Sequence, residues 1–336
     1  MRRPPRPIAA FTCAVALAVT GCAQGAGSTQ AENTRAGSTS RAAGHSPGYA
    51  PYVSATEAAP TDSAGSPGAY NLAFVVSGGS GCTPKWNGTE AVTDSAVASR
   101  ISALKKDGAT VRVSFGGASG KELAAACDGA GELAAAYAEA LDAAGSTAAD
   151  FDIEGDELAD SASVDLRSRA IARLQRARPE LDVSFTLPVM PSGLDADSLA
   201  LLESANTYDV EVSTVNLMTM NYGESYGGDM GDYAVTSAKA AHAQLRKVFG
   251  LPDAGAWRGM ALTSMIGVND VAGETFTLAD AGQVRAFAQE TGIAWVSMWS
   301  AFRDRPCEGS SSGGHAPTVC SGVKQEKGAF GKAFAG

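Results

Sequence analysis

Ala149-Asp150-Phe151-Asp152-Ile153-Glu154-Gly155 alternates an acid with an apolar side chain. On a strand, whose side-chain period is two, Asp150, Asp152 and Glu154 point one way and Phe151 and Ile153 the other. The neighbouring apolar runs also read as buried strands, so the segment fits a sheet covered on both faces better than a solvated edge. Three inward carboxylates are costly unless they are paired, protonated or solvated by a site. Like charges this close do not all ionise, so a proton is shared and one pKa is raised, which is what a general acid needs. Glu154 lies nearest the C-terminal end of the run, where barrel active sites gather. It is the natural acid, with Asp152 placed to share and pass its proton and Asp150 behind them.

Outward from this run, short stretches rich in β-branched, aromatic and aliphatic residues alternate with alanine-rich helical ones, the pattern of βα units around a parallel sheet. The strand-like runs are 49–56, 70–76, 110–115, 150–154, 183–188, 215–222, 259–267 and 295–300. Eight is the number a closed α/β barrel, the (β/α)8 or TIM barrel, requires. Helices are expected over 91–106, 120–144, 164–177, 195–205, 235–249 and 278–291, several with Asp, Ser or Thr near their start. Residues 57–68 are short and rich in Pro, Gly and Ser, so the first βα connection is abbreviated.

The N-terminus has Arg2, Arg3 and Arg6 among prolines, then an apolar stretch, then Val19-Thr20-Gly21-Cys22. That order reads as an export signal, too short for a permanent membrane span. Small residues before a cysteine resemble a bacterial lipobox. By that resemblance 1–21 is a lipoprotein signal peptide, Cys22 is lipidated, and the product is extracytoplasmic and anchored to the cell membrane; an ordinary secretory signal is the alternative. Residues 22–48, mostly small and polar, read as a flexible tether, and 49–336 as one barrel domain, expected to be monomeric. A formal net charge of −10 argues against nucleic acid.

Of the six cysteines, Cys13 lies in the signal and Cys22 at the lipid site, leaving Cys82, Cys127, Cys307 and Cys320. Export makes disulfides plausible. Four cysteines allow three pairings, and the closeness of Cys307 to Cys320 favours that pair, leaving Cys82 with Cys127. No C-x-x-C spacing occurs and the chain has three histidines, so no metal or cofactor is expected.

Asp150, Asp152 and Glu154 resemble the D-x-D-x-E end of the family 18 glycoside hydrolase signature D-x-x-D-x-D-x-E. Ser114-Phe115-Gly116-Gly117 resembles that family's S-x-G-G strand, Met220-Asn221-Tyr222 its M-x-Y, and Trp299 the tryptophan of its last strand. All four fall in order at expected strand ends, most like the bacterial chitinase-like branch, in which a glycine follows, as Gly223 does here. Two positions depart from the pattern: Thr147 stands at the signature's first aspartate, and Asn221 where close relatives often have aspartate.

The resemblance implies a chitinase acting on chitin or N-acetylglucosamine oligosaccharides by a retaining, substrate-assisted reaction. In it Glu154 is acid and base, Asp152 orients the acetamide, Tyr222 bonds the acetamide carbonyl, and Trp299 floors the sugar by stacking. Ser114, Gly116, Met220 and Asn221 stand beside them, and Trp86, Met190, Glu224 and Arg303, near strand ends, are expected to line a groove. Two other readings share these residues: a catalytically silent sugar-binding barrel, and an endo-β-N-acetylglucosaminidase acting on N-glycans.

Overall fold

The computed structural model of the protein describes residues 47–79, 81–308 and 317–336. The expected signal peptide, Cys22 and all but the last two residues of the expected tether lie outside the described residues. The barrel strands are β1 (Gly48–Tyr49 and, past a break at Pro51, Tyr52–Ser54), β2 (Ala69–Ser77), β3 (Thr110–Gly116), β4 (Ala148–Asp152), β5 (Asp182–Pro188), β6 (Thr214–Met218), β7 (Met260–Met265) and β8 (Trp295–Trp299). Neighbours in this order pair in parallel.

β1 closes the ring from both sides. Gly48 and Tyr49 pair with Trp295 and Val296 of β8, and Tyr52 to Ser54 pair with Asn71 to Ala73 of β2. Proline has no amide hydrogen to give a ladder, and the strand changes partner across Pro51, whose carbonyl accepts the Asn71 N–H at 2.9 Å. The expected eight runs are therefore the eight barrel strands, and Gly48, read as the end of the tether, belongs to the first of them.

The acid and apolar phases of β4 separate as its alternation requires. Phe115, Phe151 and Phe185 stand side by side on β3, β4 and β5, the first two stacked with ring centroids 5.3 Å apart and the last two tilted at 5.7 Å, on the outer face. Tyr137 seals that row from α2 (Ala130–Ala144). The other phase puts Asp150 between Ser114 and Ser184, and Asp152 between Gly116 and Thr186.

Helices α1 (Ser95–Leu104), α3 (Ser161–Ala177), α4 (Ala196–Thr207), α5 (Met230–Phe249) and α6 (Leu278–Thr291) follow β2, β4, β5, β6 and β7. Their entry is capped by side-chain oxygens of Asp94, Asp160, Asp195, Asp229 and Thr277, which accept otherwise unpaired N–H groups of the first turn. The single helix expected over 120–144 is broken into a 3-10 turn, Leu123–Ala125, and α2. Between them Cys127 is tied to Cys82, and Cys307 is tied to Cys320, the favoured pairing.

No helix follows β1, and residues 57–68 form turns. The shortfall is made up by α7 (Ala329–Ala335), which the sequence pattern did not announce. Asp304, just past β8, accepts the N–H groups of Phe330 and Gly331 at 3.0 and 2.8 Å and fixes the start of α7. Phe334 then stacks on Tyr49 of β1. Gly331 lies so close to Ala64 and Gly65 that a side chain there would strike the backbone of the turn.

Candidate active site

A cleft of about 630 Å³ opens at the C-terminal ends of the strands, lined by Asp152 and Glu154 among others. β4 stops at Asp152, so Glu154 stands on the first residues of the loop beyond it, half-buried at the cleft wall. Below, Asp150 is shut away from the cleft. Its Oδ1 accepts from Ser184 and Thr186, both at 2.8 Å, and its Oδ2 from Ser114 at 2.6 Å and Tyr52 at 2.9 Å. Four hydroxyl donors fill the acceptor sites of a carboxylate. Thr186 is itself held by Asn216, and Asn216 by Thr263, so a polar chain crosses the interior from β4 to β7.

Asp152, above Asp150, is buried and its Oδ1 has no hydrogen-bond partner. Burial, then the neighbouring Glu154, then Asp150, push its carboxyl well above the usual range. Glu154 is raised as well, by burial and by Asp270. Because the acceptors of Asp150 are taken by hydroxyls, the carboxyls left to share a proton are Asp152 and Glu154. Asp150, expected among the catalytic residues, supplies fixed structure and charge beneath that pair.

Thr147 sits exposed before β4, at the opposite end of the barrel from Glu154, and its carbonyl accepts the Asp182 N–H at 2.9 Å. The departure at the first signature position therefore does not touch the proton pair.

A stability cost follows from the raised pKa. Above the ordinary carboxyl pKa the unfolded chain has lost a proton that the folded chain keeps on Asp152, so stability falls as pH rises through that range. Asp152→Asn is expected to raise Tm at neutral pH, by about 2–4 °C for each kcal/mol recovered. The gain should fade as pH drops below the usual carboxylate range; melting curves across pH check it, and a gain independent of pH would contradict it.

Of the other expected residues, Trp299, Met220, Asn221 and Met190 line the cleft. Trp299 is braced by Phe74, nearly parallel at 5.5 Å, and by Tyr52 and Phe302 edge-on at 5.8 and 5.6 Å. Its indole is thus a fixed floor.

Tyr222 does not join them. β6 ends at Met218, and Asn221 takes φ +55°, which reverses the chain before the strand phase would bring Tyr222 inward. The ring packs instead against Tyr226 and Tyr233, 4% exposed, and burial raises its hydroxyl pKa. Met218 and Met220 present the inward phase to the cleft in its place. Asn populates positive φ more readily than most residues, and Asn-Tyr-Gly was the signal of this turn.

Trp86 is also corrected: it is 0% exposed, on a short strand (Pro84–Trp86) that pairs antiparallel with β2, and belongs to the core. Ser114 serves Asp150 and not the cleft. Gly116, at φ +98°, lies against the Asp152 carbonyl, where a Cβ would collide. Glu224 is exposed and outside the cleft lining. Arg303 is buried, donating from Nη2 to the carbonyls of Ile266 and Val268 at 3.1 and 2.7 Å, and burial lowers its pKa to about 10.

Among the cleft residues not anticipated, two carry ionisable side chains near the acid pair: Tyr52 and Asp270. Tyr52 comes from β1 and Asp270 from the loop after β7, and their nearness to β4 exists only once the ring is closed. Among the described residues no group of three or more His, Cys, Asp or Glu side chains is arranged to hold a metal ion.

No protein-family model matches the chain. It is 36% identical over 277 residues, 77% of this chain and 31% of the relative, to a probable bifunctional chitinase/lysozyme of Escherichia coli strain K12. It is 36% identical over 251 residues, 70% of this chain and 48% of the relative, to Endochitinase 11 of Metarhizium anisopliae. The chain thus spans about a third to a half of the length of these curated relatives. Active domain 2 of a thermostable chitinase from Pyrococcus furiosus, solved with chito-oligosaccharides, superposes with a TM-score of 0.77 at 28% identity, over 87% of this chain and 94% of that one. The catalytic domain of a hyperthermophilic chitinase from the same organism superposes with a TM-score of 0.76 over the same shares.

Proposed function

We propose that this chain is a chitinase of the family 18 glycoside hydrolase type and that it cleaves β-1,4 bonds between N-acetylglucosamine units with retention of configuration. The observation that carries this reading is the Asp152–Glu154 pair, two carboxyls with raised pKa values at the rim of a cleft floored by the braced Trp299. Glu154, protonated, gives its proton to the glycosidic oxygen as that bond breaks. The acetamide oxygen of the same sugar closes on the anomeric carbon, so the substrate supplies the nucleophile. With the single proton of the pair on Glu154, Asp152 turns from its partnerless pocket as a carboxylate to hold the acetamide N–H and balance the positive charge that forms on the ring. Glu154, now ionised, takes a proton from water, which opens the ring and restores the sugar with its original configuration.

An acetamide is indispensable to this scheme. Purified protein is expected to hydrolyse a chito-oligosaccharide, with the β-anomer as first product in a time-resolved proton spectrum, and to leave the fully deacetylated oligomer uncut. First release of the α-anomer, or equal cleavage of both oligomers, would sink it. The silent-lectin reading has no use for two carboxyls held at raised pKa values in an open cleft. Export and anchoring through Cys22 complete the proposal, supported by the arginine-led apolar leader and the small residues before that cysteine.

A further inference from the structure

The loop after β7 is pinned by two buried side chains. Asn269 is buried and donates from its side chain to the Met265 and Gly267 carbonyls at 2.8 and 3.0 Å, while Arg303 holds the Ile266 and Val268 carbonyls from beneath. Beside it, the loop after β6 is clasped to the same segment. The Asn221 Oδ1 accepts the N–H groups of Asp270 and Val271 at 3.0 and 3.4 Å, and its Nδ2 donates to Asp270 Oδ2 at 3.3 Å. Buried Glu274 completes the clasp by accepting the Gly223 N–H at 2.8 Å.

The consequence is a carboxylate fixed at a chosen place in the cleft that holds Glu154 and Asp152. An amide is the side chain that suits position 221 here. It alone both accepts the two backbone N–H groups and donates to the Asp270 carboxylate; an aspartate would set two acceptors against each other. Asn221 at φ +55° and Asp270 therefore form one device.

We propose that Asp270 is a positioning residue for the general acid: clasped by Asn221 in the cleft that Glu154 also lines, it keeps the acid's proton in place until the glycosidic oxygen takes it. This rests on the chitinase reading above. The charged and titratable groups around Glu154 are Asp152 and, below it, Asp150 on its own strand, the Tyr52 hydroxyl from β1, Asp270 from the loop after β7, and the Arg303 cation under that loop. Glu154 and Asp270 have no hydrogen bond between them, so the influence is of charge on charge, and burial together with Asp270 raises the Glu154 carboxyl.

The test is Asp270→Asn in the full chain, with kcat/KM on a chito-oligosaccharide followed across pH. Removing a negative neighbour lowers the acid's pKa, so the alkaline limb should move to lower pH. Activity above the limb should then fall by about threefold to tenfold, with the acid side unchanged. Asp270→Glu, which keeps the charge, should restore the limb. A loss of equal factor at every pH, a change in KM alone, or an unmoved limb would overturn the proposal. Titration of 13C-labelled glutamate carboxyls without substrate, with Glu154 assigned by its disappearance in Glu154→Gln, reads the same interaction directly. If the chain cleaves no chito-oligosaccharide the functional reading falls, yet that titration still decides whether Asp270 acts on Glu154.

Discussion

Glu154→Gln is expected to lower kcat on a chito-oligosaccharide by roughly a thousandfold or more while leaving oligosaccharide binding within a few-fold of the unaltered protein. The amide has the shape of the acid and no proton to give, so the departing oxygen must leave as an alkoxide. Position 154 ends no strand bond and supports no helix: β4 stops at Asp152 and the next helical turn begins at Asp156. Nothing in the fold depends on its charge, and replacing a half-buried carboxyl whose pKa is raised removes a cost. Turnover and stability should therefore move in opposite directions. Steady-state kinetics, calorimetric titration with oligosaccharide and a melting curve at neutral pH measure the three. A loss of less than tenfold would mean that another group gives the proton; loss of binding would mean that Glu154 holds the sugar.

How far the sequence reached is seen best along β4 and β6. On β4 the alternation of acid and apolar residues is local information, and it fixed the strand, its two faces and the acid at its end. On β6 the strand-like run was read through to Tyr222, whose role came from the M-x-Y resemblance, and one residue at positive φ defeated it: Asn221 turns the chain, so Met220 faces the cleft and Tyr222 does not. Tyr52 and Asp270 are far from Glu154 in the chain and line the same cleft through ring closure, which no periodicity encodes. Trp86 was misjudged because its burial depends on a strand of three residues. α7, seven residues of mostly small side chains, is held by the Asp304 carboxylate and by contact with Tyr49, both long-range.

Gly116→Ala should be among the most damaging single methyl groups this chain accepts. Gly116 has φ +98°, a region that costs an L-residue on the order of 1–3 kcal/mol. The added Cβ would also run into the Asp152 carbonyl oxygen, which already accepts the Gly117 N–H at 2.9 Å. Gly116 of β3 pairs with Asp152 of β4, so the methyl cannot be accommodated without parting the two strands there. A combined loss of about 3–5 kcal/mol is expected, a drop in Tm on the order of 10 °C. At temperatures where the variant remains folded, kcat should still fall at least about tenfold, because Asp152 and Glu154 follow the displaced strand end. Gly282→Ala is the control. Gly282 is exposed within α6 with nothing within 4 Å of its added Cβ. There the same methyl should stabilise by about 0.4–1 kcal/mol through helix propensity and leave kcat unchanged. Equal and small effects at both positions would show that β3 and β4 do not meet through Gly116, and with that the tie between the S-x-G-G turn and the acid pair would be lost.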